Sequence, residues 1–291
     1  MNAPVNRQRS VVVTGVSSGI GEAIAEDLLE RGYRVFGSVR RPADADPLVT
    51  RWGASFVPLV FDVTDEKALP EVVAQVGSAL EGRGLTALVN NAGINLSGPL
   101  MHQPLEEFRR VFEVNVFGLL AVTRAFLPLL GARAGAGHAP GRVVNIGSVS
   151  GAITVPFMGA YSASKHAVEA MGQALRRELQ PYGVHVTTIE PSFIRSRIFE
   201  KQAAQAADPR YADTDYADAW RAFNASLRQQ EHKAKPPSVV TRAVIEAIES
   251  PKPRTRHPLD PIWRIGRILP DRGFDRLIFK ATGLEAQLRP K

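Results

Sequence analysis

The chain contains no cysteine. Disulfides, thiolate metal ligands and thiol nucleophiles are therefore excluded. The six histidines are scattered, without a His-x-x-x-His pair or a histidine–carboxylate cluster at metal-ligand spacing, so no metal site is expected. Nowhere do about 18 apolar residues run together, as a membrane-spanning helix needs. The opening residues MNAPVNRQRS lack a hydrophobic segment of signal-peptide length, and the expected location is the cytoplasm. Charge of one sign is also unevenly supplied. The chain carries a net +7, yet from Arg228 onward there are 14 Lys/Arg against 7 Asp/Glu, so residues 1–227 balance to zero. A basic surplus invites a nucleic-acid partner. Here it is confined to the tail and no RNA- or DNA-reading motif accompanies it, so no nucleic-acid binding is expected.

What is present is enough apolar material for a large core: 291 residues, 44% hydrophobic. Ser10 to Thr14 is a β-branched run that reads as a buried parallel strand. The turn Gly15-Val16-Ser17-Ser18-Gly19-Ile20-Gly21 follows, and then a helix with apolar residues three and four apart, ended by Gly32. Strand, glycine turn and helix together form a phosphate cradle, because glycine lets backbone approach and the helix N-terminus offers free N–H groups to an anion.

Strands are expected at Arg34 to Val39, Phe56 to Phe61, Leu85 to Val89, Arg142 to Gly147 and Val184 to Ile189. Helices are expected between them at Glu66 to Leu80, Pro104 to Leu130 with an interruption near Asn115 and Gly118, and Tyr161 to Gln180. This alternation defines an α/β fold: one doubly wound parallel sheet flanked by helices, occupying residues 1–291 as a single domain. After Pro191 the rhythm changes. Residues 192–237 read as one or two helices forming a substrate lid. Ser238 is expected to cap a helix through Ile248, and Thr255 to His257 to begin a last edge strand. Residues 258–291 form a basic, amphipathic extension. A helix packed over the pocket or at a subunit interface is the first reading of it, and peripheral membrane contact the second.

The second strand ends in Arg40-Arg41, and no acid occurs between Glu30 and Asp44. An acid here would hold a ribose 2′-hydroxyl, whereas arginine suits a 2′-phosphate, so NADP(H) is expected over NAD(H). The alternative leaves both arginines as solvated loop charges. Asp62, with Val63, closes the third strand where ligands bind in such sheets, within reach of an adenine amino group. In Asn90-Asn91-Ala92-Gly93, Asn90 reads as a structural cap and Asn91 as a cofactor contact. Asn115 lies in an apolar stretch, where it either holds a water behind the site or is a satisfied core amide.

The stretch SVSGAITVPFMGAYSASK places Ser148 just after a strand and Tyr161 four residues before Lys165, on one helical face. A phenol normally titrates near pH 10. A neighbouring ammonium is expected to lower that value and make Tyr161 a usable acid and base.

Together, Thr14-Gly15-x3-Gly19-x-Gly21, Asn90-Asn91-Ala92-Gly93, Asn115, Ser148 and Tyr161-x3-Lys165 resemble the short-chain dehydrogenase/reductase family over roughly residues 9 to 196. That resemblance implies a Rossmann-type fold and an oxidoreductase. Tyr161 is then the general acid/base and Lys165 its partner on the nicotinamide ribose. Ser148 binds the substrate oxygen, and Asn115 supports a water-linked proton path. The cofactor contacts it implies are Gly15, Ser17, Ser18, Gly19, Ile20, Gly21, Asn91, Ala92, Gly93, Pro191 and Ile194. Ser196 stands where members carry a threonine on the carboxamide, and Ser192 replaces a common glycine. The chain is more loosely similar to the retinol/hydroxysteroid branch, which suggests a bulky apolar alcohol or carbonyl. Phe157, Met158, Phe193 and Phe199 would line its pocket. The family is often a dimer or tetramer, so a homo-oligomer is expected.

Overall fold

The computed structural model describes residues 9–195, 209–231, 233–262, 268, 270–282 and 284. Seven strands form one parallel sheet: β1 (Ser10–Val13), β2 (Arg34–Val39), β3 (Phe56–Val60), β4 (Ala87–Asn90), β5 (Arg142–Ile146), β6 (His185–Glu190) and β7 (Arg256–Pro258). Their spatial order is β3-β2-β1-β4-β5-β6-β7, with β7 on one edge. The order reverses at β1, which pairs with β2 on one side and β4 on the other. In an open α/β sheet, that reversal opens a crevice beyond the strand C-termini.

Neighbouring residues on a strand point to opposite faces, and each face needs its own cover. Val11 and Val13 enter one apolar cluster with Ile24, Leu28, Val244 and Ile248, which come from α1 (Gly19–Glu30) and the later helix Ser238–Glu249. Val12 points the other way, into a cluster with Val76, Leu80, Val122, Phe126 and Leu175. Those side chains come from α3 (Leu69–Leu80), α5 (Leu119–Phe126) and α6 (Gly159–Glu178). Buried strands covered on both faces read as continuous valine-rich runs, as they do here.

A short helix, α2 (Asp46–Trp52), was not expected from the sequence. Pro47 sits at its start, and Leu48 is its buried anchor in the first cluster. The long helix expected from Pro104 divides as its Asn115 and Gly118 imply. α4 (Leu105–Phe112) and α5 flank a widened turn at Glu113–Gly118 with π-type hydrogen bonding. Gly118 is required there, since an added Cβ would lie 2.9 Å from the Val63 carbonyl oxygen.

A third apolar cluster lies away from the sheet. Phe157 and Met158 meet Tyr211, Trp220, Phe223 and Leu284, drawing in α7 (Ala217–Glu231) and the single residue Leu284 just after α9 (Asp271–Thr282). Ile278 and Leu284 are buried and anchor the described part of the C-terminal extension to the protein, while Ile268 and Leu277 are exposed. No described helix is long and apolar enough to cross a membrane. The remaining helix, α8 (Ser238–Glu249), departs from expectation at its start. Pro237 is the N-cap, and no side-chain cap bond forms, so Ser238 is the first helical residue and not the cap.

Candidate active site

The glycine turn sits at the reversal point, where three strand ends brace it. Gly15 has φ +71°, a conformation that costs a side-chain-bearing residue but not glycine. Its N–H donates to Ser38 Oγ at 2.9 Å, from the end of β2. From the end of β4, Asn91 Nδ2 donates to the carbonyls of Thr14 at 2.9 Å and Gly15 at 3.1 Å. Thr14 Oγ1 reciprocates by accepting the N–H groups of Asn91 and Ala92, both at 2.9 Å. Gly21 completes the cradle: a Cβ there would stand 2.1 Å from the Gly15 oxygen and 2.3 Å from Asn91 Nδ2. Ser18 is the N-cap of α1 but makes no side-chain cap bond, which leaves the first N–H groups of the helix to another acceptor. Bare backbone, free N–H groups and the positive end of a helix dipole fit the pyrophosphate of a dinucleotide.

Asn91, expected to touch cofactor, spends both amide hydrogens on the turn. Ser38 and Thr14 do similar work; Ser38 was not expected here, because a strand serine carries no local signal. Asn90 is the structural cap it was expected to be, donating to Thr123 Oγ1 at 2.8 Å and Asn145 Oδ1 at 2.9 Å. At the end of β2, Arg40 is exposed and has no hydrogen bond or ion pair among the described residues. Arg41 is engaged through Nη2 and Nε with Asp44, at 2.6 and 3.1 Å. That pairing holds the Arg41 guanidinium above its ordinary value. Asp62 Oδ1 accepts from Thr64 N–H and hydroxyl at 3.0 and 2.8 Å, closing a tight turn with that oxygen. Val63, next in the chain, is buried in the second cluster.

Two strands along, β5 delivers Ser148. This residue is buried and caps a single helical turn, its Oγ accepting Ser150 N–H at 3.1 Å. The Ser148 side chain also acts on the phenol of Tyr161 on α6, favouring its ionised form. Lys165, one turn later, is buried; its Nζ donates to the Ile146 carbonyl at 2.8 Å and lies 5.7 Å from the centre of the Tyr161 ring. Burial pulls the Lys165 ammonium down to about 8, against a smaller opposing pull from the Glu169 carboxylate.

One expectation is corrected at this point. Lys165 does not lower the Tyr161 phenol in this structure. Burial pushes that phenol above its ordinary value, and the Ser148 side chain is what works in the other direction. The physical reason is placement: the amine is held on a main-chain carbonyl beneath the ring, and desolvation outweighs the one favourable influence.

Asn115 is a satisfied amide. Its Oδ1 accepts Ile94 N–H at 2.8 Å, and Nδ2 donates to the Ile94 carbonyl at 2.9 Å and Ser164 Oγ at 3.0 Å. It thereby ties the strand-four loop, next to Gly93, to the helix of Tyr161 and Lys165. Pro191 accepts Val149 N–H at 2.8 Å, joining the β6 end to the Ser148 turn. Ile194 is buried in the first cluster and bridges to Lys235.

Of the expected pocket residues, Phe157 and Met158 are buried two and three residues after the α6 approach begins at Val155. Phe157 carries φ +67°, unusual for a residue with a side chain. Its ring lies edge-on to Tyr216, Trp220 and Phe223, at centroid distances of 6.1, 5.7 and 5.3 Å. The Met158 sulfur accepts Ser97 Oγ at 3.2 Å. Phe193 is 40% exposed, and so does not enter that cluster. Ser196 and Phe199 lie outside the described residues.

Residues 9–207 match the short chain dehydrogenase family model. The chain belongs to that family, whose members are oxidoreductases. Among its relatives is the NADPH-dependent 3-dehydrocapnine reductase of Ornithobacterium rhinotracheale, 41% identical over 276 residues, 94% of this chain and 96% of that one. Retinol dehydrogenase 5 of Homo sapiens is 33% identical over 264 residues, 87% of this chain and 80% of that one. In three dimensions, a short-chain dehydrogenase from Streptomyces avermitilis superposes with a TM-score of 0.73 at 29% identity, covering 96% of each chain.

Proposed function

We propose that this protein is an NADP(H)-dependent oxidoreductase that interconverts a secondary alcohol and a carbonyl on a hydrophobic small molecule of steroid, retinoid or aryl-ketone type. The observation that carries this reading is the grouping of Ser148, Tyr161 and Lys165 at the sheet's crevice, with Ser148 acting on the phenol and Lys165 Nζ 5.7 Å from the centre of its ring. Two hydroxyls converging at one point can both donate to a single carbonyl oxygen.

When bound, the dinucleotide supplies or accepts a hydride at the substrate carbon. Tyr161 holds the proton that passes to the substrate oxygen, or takes it back from an alcohol. Ser148 orients that oxygen and strengthens its hold as negative charge grows on it. Lys165 keeps positive charge below the phenol and presents an amine to a ribose. Asn115 braces the helix bearing both residues. The Gly15–Gly21 turn would hold the pyrophosphate, with Ala92 and Gly93 lining its strand-four side. Arg40, exposed at the β2 end, would take a 2′-phosphate, in keeping with the NADPH dependence named for the 41% relative.

Phe157 and Met158, roofed by Tyr211, Trp220 and Phe223, suit an apolar substrate, with the described residues 209–231 acting as a lid. The exposed Leu105 and Phe117 on the α4–α5 pair suit contact with a second copy of the chain. The test is an NADPH-oxidation screen over ketosteroids, retinal-like aldehydes and aryl ketones. Turnover of at least one class with NADPH favoured over NADH supports the reading. Absence of turnover with all three classes and both cofactors overturns it.

A further inference from the structure

Glu169 lies one helical turn beyond Lys165, on the same face of α6, and both side chains are buried, at 5% and 6% exposure. A buried carboxylate needs a partner, since an isolated one costs several kcal/mol. Arg256 Nη2, from the edge strand β7, meets Glu169 Oε2 at 2.9 Å. The same guanidinium approaches Glu190 Oε1 on β6 at 3.8 Å, and Glu190 is buried too. Lys165, Glu169, Arg256 and Glu190 thus form a row of alternating charge from the catalytic helix to the edge of the sheet.

Glu169 also touches the segment that carries Ser148. A Cβ placed on Gly147 would lie 3.0 Å from Glu169 Oε1, and one on Gly151 would lie 3.0 Å from Glu169 Cγ. The carboxylate is therefore packed between the helix of Tyr161 and Lys165 and the turn bearing Ser148.

We propose that Glu169, held by Arg256, is a positioning residue for the site: its buried negative charge balances the Lys165 ammonium, and its side chain supports the Gly147–Gly151 turn that aims Ser148 at Tyr161. This rests on the proposed function for its kinetic consequence but not for its electrostatic one. The groups around Lys165 and Glu169 are Tyr161 on α6, Arg256 on β7 and, through Arg256, Glu190 on β6; Arg176 on α6 lines a cleft with Arg256. The carboxylate holds the Lys165 ammonium up against burial, which already draws it to about 8. Removing that charge lowers it further, so the alkaline limb of activity moves to lower pH.

The experiment compares wild type, Glu169→Gln, Glu169→Asp and Arg256→Lys. Carbonyl reduction is followed across pH 6 to 10, and the Lys165 side chain is titrated by NMR in cofactor-free, lysine-labelled protein. The expected result for Glu169→Gln is a fall in kcat of roughly 10-fold with little change in KM for cofactor. Its alkaline limb and the NMR titration should both move down by about one unit. Glu169→Asp keeps the charge and should recover most of the shift. Wild-type titration and wild-type kcat in Glu169→Gln would overturn the proposal. If Glu169→Gln does not fold, Arg256→Lys decides, because it keeps the charge but loses the planar guanidinium that fixes the Glu169 side chain; a kcat unchanged from wild type overturns the proposal. A protein inactive on every carbonyl whose Lys165 titration still shifts in Glu169→Gln refutes the proposed function alone.

Discussion

The Ser148 side chain works on the Tyr161 phenol against the burial that pushes that phenol above its ordinary value. That influence favours the phenolate. Ser148 therefore tunes the acid/base as well as reaching toward substrate.

Tyr161→Phe removes the proton carrier and should lower kcat by about 10² to 10⁴-fold, the usual worth of a positioned acid or base. Cofactor affinity, read by quenching of tryptophan fluorescence, should change little. Substantial remaining turnover would assign the proton transfer to another group. Ser148→Ala should cost a similar factor and also move the Tyr161 limb of the pH–rate profile upward, because the opposing influence is gone.

Arg40 stands exposed at the end of β2 with no ion pair among the described residues, whereas its neighbour is committed to Asp44. Charge-assisted hydrogen bonds contribute about 1.5–3 kcal/mol, or roughly 10- to 100-fold. Arg40→Asp should reduce kcat/KM with NADPH by that factor while NADH is affected far less. Arg41→Ala should change the ratio of the two less than Arg40→Asp does. Equal effects on both cofactors would remove Arg40 from the 2′-phosphate role.

Gly21→Ala would drive a methyl group into the Gly15 carbonyl and the Asn91 amide. Overpacking of this kind costs about 1–3 kcal/mol. Both the Tm and the affinity for NADPH should fall, the second because the cradle cannot keep its shape. A binding titration matching wild type would mean that the turn does not hold the dinucleotide.

Lys165 is stored at a cost. Burial lowers its titration to about 8, from 10.5 for an exposed lysine. The native state therefore binds fewer protons than the unfolded chain between those values, and stability rises with pH through that window. Below about pH 8 the group is charged in both states and the penalty, on the order of 3 kcal/mol, is present in full. Lys165→Met should raise stability at pH 7 by about 1–3 kcal/mol in urea unfolding, while abolishing turnover. The gain should shrink above pH 10. A destabilised, active Lys165→Met would contradict both halves.

At Phe157 the usual ranking of alanine over glycine should invert. Phe157→Ala empties the ring's place among Trp220 and Phe223, a loss of about 3–5 kcal/mol, and keeps a Cβ at φ +67°. Phe157→Gly makes the same cavity but relaxes the backbone, so it should unfold at higher urea by roughly 0.5–1 kcal/mol. An alanine variant more stable than the glycine one would show that the backbone there is not strained.

The sheet was legible in the sequence because β1, β2, β5 and β6 are short runs rich in β-branched residues, and the longer flanking helices repeat their apolar positions every three or four residues. These are local signals, and they located β2 at Arg34–Val39 and the break in the long helix at Asn115 and Gly118. The helix Asp46–Trp52 was not legible, since seven residues hold too few turns to display a period. The motif residues were equally readable, because Gly15, Gly21, Tyr161 and Lys165 sit at fixed spacings within single elements.

Only tertiary structure decided which charges meet. Arg256 is 87 residues from Glu169 in sequence, and no pattern along the chain announces that parallel pairing of β7 with β6 brings them together. The direction of the Tyr161 shift was likewise beyond the sequence. Spacing put an ammonium one turn from a phenol, but desolvation depends on everything packed around the pair. Local order follows from side-chain chemistry repeated along one element; the proton affinity of a buried group follows from the whole of its surroundings.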